Sequence, residues 1–147
     1  MKSLDTNLLL YAINEDCPEH ENCAALVRDA LSENESWIIA DQVWFELYRL
    51  LRNPAVLAKP LNASEAADTV AWYRQKSGWL HCAWECDLMP RLTELWKLES
   101  FPARRSFDLV LAVTLRANGV KQFYTRNPKD FDDLGFFTVT NPLESRS

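Results

Sequence analysis

Apolar residues recur along this chain in two alternating rhythms, short runs of a few residues and longer stretches in which they return every third or fourth position. Lys2 to Leu4 reads as a short strand that stops at Asp5, and Leu8, Leu9, Leu10 and Tyr11 follow as a buried helical turn. From Glu19 to Asn34 the residues Cys23, Leu26, Val27, Ala30 and Leu31 fall at helical spacing, and Trp37 to Ala40 reads as a second strand. Asp41 is a candidate N-cap for a helix whose stripe is Val43, Trp44, Leu47, Leu50 and Leu51, closed by Asn53-Pro54. A helix from Leu61 to about Lys76 ends at Gly78, and Trp79 to Ala83 forms a third strand-like run. Asp87 to Glu99 is amphipathic, with Leu88, Leu92, Leu95, Trp96 and Leu98 expected toward the core and Pro102 as the stop. A strong helix from Phe107 to Asn118 has Gly119 just past its end. Two last strands, Lys121 to Thr125 and Phe136 to Thr140, flank the polar loop Arg126 to Leu134.

Strands alternating with helices on short connections predict an α/β fold, with a parallel or mostly parallel sheet covered on both faces. Functional residues in such sheets gather at the carboxyl ends of the strands. At 147 residues the chain is expected to form a single domain, spanning 1–147. It holds only 3 glycines and no Gly-rich phosphate loop, which removes a nucleotide-binding reading of the fold. His20 and His81 lie in no nucleophile context and no Gly-x-Ser-x-Gly elbow exists, so a serine hydrolase is poorly supported.

The formal net charge of −5 argues against a broad basic face for duplex binding. It is compatible with metal-ion chemistry on phosphodiesters, because a nest of carboxylates counts as negative until a cation fills it. No run approaches the ~20 apolar residues that span a bilayer, and the N-terminus has no apolar leader, so a cytoplasmic location without membrane association is expected. Cys17, Cys23, Cys82 and Cys86 are then expected to stay reduced, and their spacing around His20 and His81 fits a zinc site poorly. Some of the 6 tryptophans are expected at an interface with a partner.

Three carboxylates stand in apolar surroundings at the edges of elements. Asp5 divides Leu4 from Leu8-Leu10, Glu46 sits among Trp44, Phe45 and Leu47, and Asp108 precedes Leu109-Val110-Leu111-Ala112. A cluster around a divalent cation satisfies such groups, whereas each alone costs the fold several kcal/mol. Taken singly, Asp5 and Asp108 also suit helix capping, and Glu46 a solvated helix face.

Four segments in order carry a resemblance. Leu4-Asp5-Thr6-Asn7-Leu8-Leu9, Val43-Trp44-Phe45-Glu46-Leu47, Phe107-Asp108-Leu109-Val110-Leu111-Ala112 and Tyr124-Thr125-Arg126-Asn127-Pro128-Lys129-Asp130-Phe131 resemble PIN-domain ribonucleases. Leu51 to Val56, Pro60-Leu61 and Gly135 to Leu143 look like a VapC-type toxin branch. The resemblance covers nearly the whole chain. It implies a three-layer α/β/α fold with a central sheet of about four or five strands, and Asp5, Glu46 and Asp108 as catalytic ligands of Mg²⁺ or Mn²⁺. The fourth family position, commonly acidic, is Asn127 here, which leaves a second ion open; Asp130 is an additional candidate. Thr6, Asn7 and Thr125 resemble groups that orient the carboxylates, or else serve as caps and turns.

The resemblance further implies hydrolysis of RNA phosphodiesters to 5′-phosphate and 3′-hydroxyl ends by the toxin of a type II toxin–antitoxin pair. Its implied partners are RNA, a cognate antitoxin and a second copy in a homodimer. Arg104, Arg105, Arg126 and Lys129 flank the expected site as candidate phosphate contacts or as ordinary solvated cations. Two other readings stand beside this one. A catalytically degenerate PIN domain binding RNA or protein is favoured by Asn127, and the other is a metal-dependent hydrolase of DNA or small phosphate esters.

Overall fold

The computed structural model describes residues 1–98 and 100–144. Its elements run β1 (Lys2–Leu4), α1 (Thr6–Ile13), α2 (His20–Ser32), β2 (Ile38–Ala40), α3 (Asp41–Leu51), α4 (Ala63–Lys76), β3 (Leu80–Cys82), α5 (Met89–Trp96), α6 (Ser106–Ala117), β4 (Gln122–Tyr124) and β5 (Thr138–Thr140). Single 3₁₀ turns precede α5 and α6, and two more, Pro128–Asp130 and Asp132–Leu134, fill the loop between β4 and β5.

All strand pairs are parallel. β4 lies between β1 and β5, β2 pairs with β3, and a bridge from Lys2 to Trp37 joins the two groups into the order β3-β2-β1-β4-β5. Consecutive residues of β2, Ile38, Ile39 and Ala40, are all buried, which requires cover on both faces of the sheet and accounts for the three-layer α/β/α build. The chain spreads outward from β1 through β2 to β3, then returns to the other side of β1 for β4 and β5. Successive connections therefore diverge between β1 and β4, the position at whose carboxyl edge open α/β sheets place their sites.

The apolar stripes behave largely as their spacing predicts. Cys23, Val27 and Ala30 of α2 are buried, as are Val43, Trp44, Leu47 and Leu51 of α3 and Leu109, Leu111, Ala112 and Leu115 of α6. Gly119 has a φ of 79°, the left-handed conformation expected just beyond a helix end. Trp79 stacks on Trp44 and Tyr73 and donates from Nε1 to the Ala30 carbonyl at 3.0 Å, tying α2, α3 and α4 to the sheet.

Two expectations need correction. The helix expected over Asp87 to Glu99 is confined to Met89–Trp96, and Leu98 and Trp96 are 59% and 37% exposed rather than core residues. The Cys86–Leu88 turn shifts the start of α5, with Pro90 at its first turn, so that Leu92 alone is fully buried. Glu99 itself lies outside the described residues, as do residues 145–147 of the expected domain. Nor is Asp41 an N-cap: Ala40 takes that position and Asp41 is the first helical residue, its carboxylate 3.1 Å from Arg74 of α4. Among the described residues no helix is long and apolar enough to cross a membrane.

Candidate functional site

β1 ends at Asp5 because its backbone N–H still pairs with the Tyr124 carbonyl of β4 (2.9 Å) while its side chain turns to cap α1. One carboxylate oxygen accepts from the Thr6 N–H at 2.8 Å, and the other accepts from the Thr125 hydroxyl at 2.9 Å. Thr125, fully buried just past β4, also accepts from the Asn127 N–H at 3.1 Å. Asp5 is therefore a helix cap and a member of the acidic edge at once. Both of its oxygens are held in place by groups from opposite ends of the chain.

Glu46 projects from the second turn of α3, partly buried, and Asp108 from the first turn of α6. The two helices begin at the same edge, α3 directly after β2 and α6 after the Ala103–Arg105 turn. The three carboxyls sense one another. Burial raises the Asp108 carboxyl to about 6, and the neighbouring charges of Asp5 and Asp130 push it the same way against Arg105 and Arg104. Glu46 is raised by burial and then by Asp5 and Asp108. Asp5 is raised by burial, against the two hydrogen bonds that favour its ionised form. Mutual repulsion among partly buried carboxylates is what a bound cation relieves.

Among the described residues, no three of the His, Cys, Asp and Glu side chains approach closely enough to form a ready-made ion cage. The fit to a cation lies in donor chemistry. These are all oxygen donors, each partly buried, which suits Mg²⁺ or Mn²⁺ because such ions prefer oxygen ligands. The two cysteine clusters offer no competing centre. All four cysteines are free, Cys17 donates to the Asn14 carbonyl at 3.2 Å, and His20 Nδ1 lies 2.9 Å from the Tyr11 carbonyl.

Asn127 is exposed, and its backbone rather than its side chain engages Thr125. It is Asp130 whose charge reaches Asp5 and Asp108. The adjoining Phe131 is buried edge-on against Phe123 of β4 (centroids 4.9 Å), which brings the Pro128–Asp130 turn back over the edge. Asn7 makes no side-chain hydrogen bond among the described residues. Of the basic residues, Arg126 bonds to Tyr11 and to Glu19 (3.2 Å), Arg104 to Asp130 (2.7 Å), and buried Arg105 forks onto Asp133 (2.8 and 3.0 Å). Lys129 alone of the four makes no ion pair among the described residues. The inward role of Arg105 was not legible in the sequence, since Arg104 and Arg105 read there as equivalent loop cations.

The Thr125 hydroxyl bridges Asp5 and the Asn127 backbone, so Thr125→Val is expected to free a carboxylate oxygen and a loop N–H together. A loss of about 1–2 kcal/mol in stability should appear in denaturant melts. Any activity that depends on Asp5 should fall roughly 10- to 100-fold; an unchanged melt and unchanged activity would refute the bridge.

Comparison with known proteins agrees with this architecture. The family model described as PIN domain matches residues 3–136. Ribonuclease VapC24 of Mycobacterium tuberculosis is 41% identical over 148 residues, covering 99% of each chain. Among solved structures, the crystal structure of M. tuberculosis VapC20, described as a sarcin-ricin loop cleaving toxin, superposes with a TM-score of 0.68 at 17% identity, over 92% of this chain and 96% of that one. VapBC2 from Rickettsia felis, solved bound to a DNA fragment from its promoter, gives a TM-score of 0.64 at 18% identity, over 95% and 97%. At these identities the two superpositions speak for the fold alone.

Proposed function

The chain belongs to the PIN-domain family, in its VapC-type branch, and from that premise we propose that it is a divalent-metal-dependent endoribonuclease acting as the toxin of a type II toxin–antitoxin pair. The observation that carries the reading is the mutual influence of Asp5, Glu46 and Asp108 at the carboxyl edge of the sheet, each carboxyl raised by burial and by at least one acidic neighbour. These three residues would hold Mg²⁺ or Mn²⁺, and Asp130 and Asn127 are the candidates for a further contact, direct or through water. When bound, the ion supplies an activated water for attack on phosphorus and offsets the charge of the transferring phosphate.

The protein's own groups do the positioning. Thr125 and the Thr6 N–H fix both oxygens of Asp5, so that carboxylate needs no reorientation when substrate arrives. Lys129, exposed, is a candidate contact for an RNA phosphate, and Arg104 could exchange its exposed pairing with Asp130 for a phosphate oxygen. Attack by water on phosphorus, with the bond to the 3′ oxygen breaking and that oxygen taking a proton from solvent, would give 5′-phosphate and 3′-hydroxyl ends.

The cognate antitoxin is expected to be a short protein encoded next to this one, covering the acidic edge with basic or amphipathic segments, and two copies of this chain are expected to form a homodimer in the cytoplasm. Exposed Trp72 and Trp96 are candidate contacts for these partners.

The test is incubation of the purified, partner-free chain with labelled total RNA in Mg²⁺, in Mn²⁺ and in chelator. Cutting is expected with either ion and none in chelator, with single-stranded DNA left intact in parallel. A folded, ion-supplied chain that leaves all RNA whole would transfer the reading to an RNA- or protein-binding module.

A further inference from the structure

Two of the most exposed large side chains of the molecule are Phe45, at 73%, and Phe107, at 77%. They are 62 positions apart in sequence, and each immediately precedes a carboxylate of the acidic edge, Glu46 and Asp108. The fold brings both onto one pocket of about 400 Å³, which Gln42 and Trp84 also line. The pocket opens where β2 and β3 end, next to the carboxyl end of β1 in the strand order. Neighbouring strands lie about 5 Å apart, so the pocket is one or two strand widths from the acids. Gln42 Nε2 donates to the Phe107 carbonyl at 2.9 Å and fixes the start of α6 against α3. The carboxamide oxygen of Gln42 keeps no protein partner among the described residues.

We propose that Phe45 and Phe107 wall a subsite for an unpaired nucleobase of the RNA chain, adjacent to the phosphate seated at the acidic edge. The inference rests on the ribonuclease reading and narrows its substrate to RNA with a base free to leave its stack. Exposed aromatic rings offer the flat surface on which any base stacks, and single-stranded RNA is recognised by such stacking together with donors and acceptors for base edges. Gln42, which lines the pocket, offers its carboxamide oxygen as an acceptor and its remaining N–H as a donor, and Asp41, paired with Arg74, lines it as well. The same polar pair argues against a second copy of this chain as the occupant, because the buried centre of a subunit interface is depleted in charged groups.

The experiment uses fluorescein-labelled eight-nucleotide oligoribonucleotides, intact or with one central abasic position, titrated against the full chain with Ca²⁺ in place of Mg²⁺. Cleavage in Mg²⁺ and sedimentation are followed beside the titrations. Phe45→Ala and Phe107→Ala are expected to weaken binding of the intact oligonucleotide roughly tenfold each, and to leave the abasic one nearly unaffected. Phe107→Tyr should retain most of the affinity, and no variant should alter sedimentation. Equal losses on intact and abasic chains, no loss on either, or a change of oligomeric state would overturn the subsite. Ring-dependent binding without any cleavage would instead keep the subsite and defeat the nuclease reading, while cleavage indifferent to the rings would do the reverse.

Discussion

Asp108→Asn is expected to abolish RNA cleavage, by on the order of 100- to 1000-fold, while making the ion-free protein more stable at neutral pH. Both halves come from one cause. Burial and the charges of Asp5 and Asp130 raise this carboxyl to about 6 from the ordinary 3.8, so the folded chain holds its ionised form at a cost. Between about pH 4 and pH 6 the folded state binds more protons from this group than the unfolded state does. The penalty of holding Asp108 in the folded chain therefore grows as pH rises from about 4 to about 6, is fully present and constant above that, and is relieved as pH falls back through about 6. Without divalent ions, the wild-type melting temperature should climb from pH 7.5 toward pH 5 more steeply than that of Asp108→Asn. Saturating Mg²⁺ should reverse the order at pH 7.5, because ion binding requires the ionised carboxylates, and its affinity should fall away below about pH 6. Undiminished cleavage by Asp108→Asn would defeat the assigned role, and identical pH profiles of stability would show that its carboxyl does not bear the repulsion described. Asp5→Asn should be as inactive, but its stability gain should be smaller, since the hydrogen bonds from Thr6 and Thr125 already favour its charged form.

Arg105→Met is expected to lower stability by about 2–3 kcal/mol, roughly 5–10 °C in melting temperature for a chain of this size. The guanidinium is buried, holds both oxygens of Asp133, donates to the backbone carbonyl of Asp130 and lies 5.4 Å from the Phe101 ring centroid. Removing it leaves a desolvated carbonyl unpaired and loosens the turn that carries Asp130. Cleavage should then drop about tenfold through kcat, with little change in KM for RNA. Arg105→Lys, which keeps the charge and loses the fork, should recover only part of either effect. Asp133→Asn should cost much less, because that carboxylate is largely solvated. Equal melts for Arg105→Met and Asp133→Asn would refute the clamp on the Asp130 turn.

These predictions mark where the sequence was informative. The strands, α3 and α6 were legible because their burial follows a regular period, and Asp5, Glu46 and Asp108 were conspicuous as charges interrupting apolar runs. Sequence periodicity reports which face of a helix is apolar but not where the helix stops, so the Cys86–Leu88 turn and the exposure of Leu98 escaped it. The roles of Arg105 and Gln42 rest on partners 25 and 65 positions away, to which local pattern is blind. The relation of Asn127 to Asp130 depends on Phe131 being drawn under β4, which is again a long-range contact.

The bond between Asp5 and Thr125 joins residues 120 positions apart, and β1 finds its neighbour β4 only at Gln122–Tyr124. During synthesis Asp5 must wait until Thr125 has left the ribosome before its second oxygen is held. A nascent or prematurely terminated chain lacking β4 cannot assemble the acidic edge. Under the proposed activity, the molecule would be inert toward the RNA of the ribosome making it until β4 has emerged.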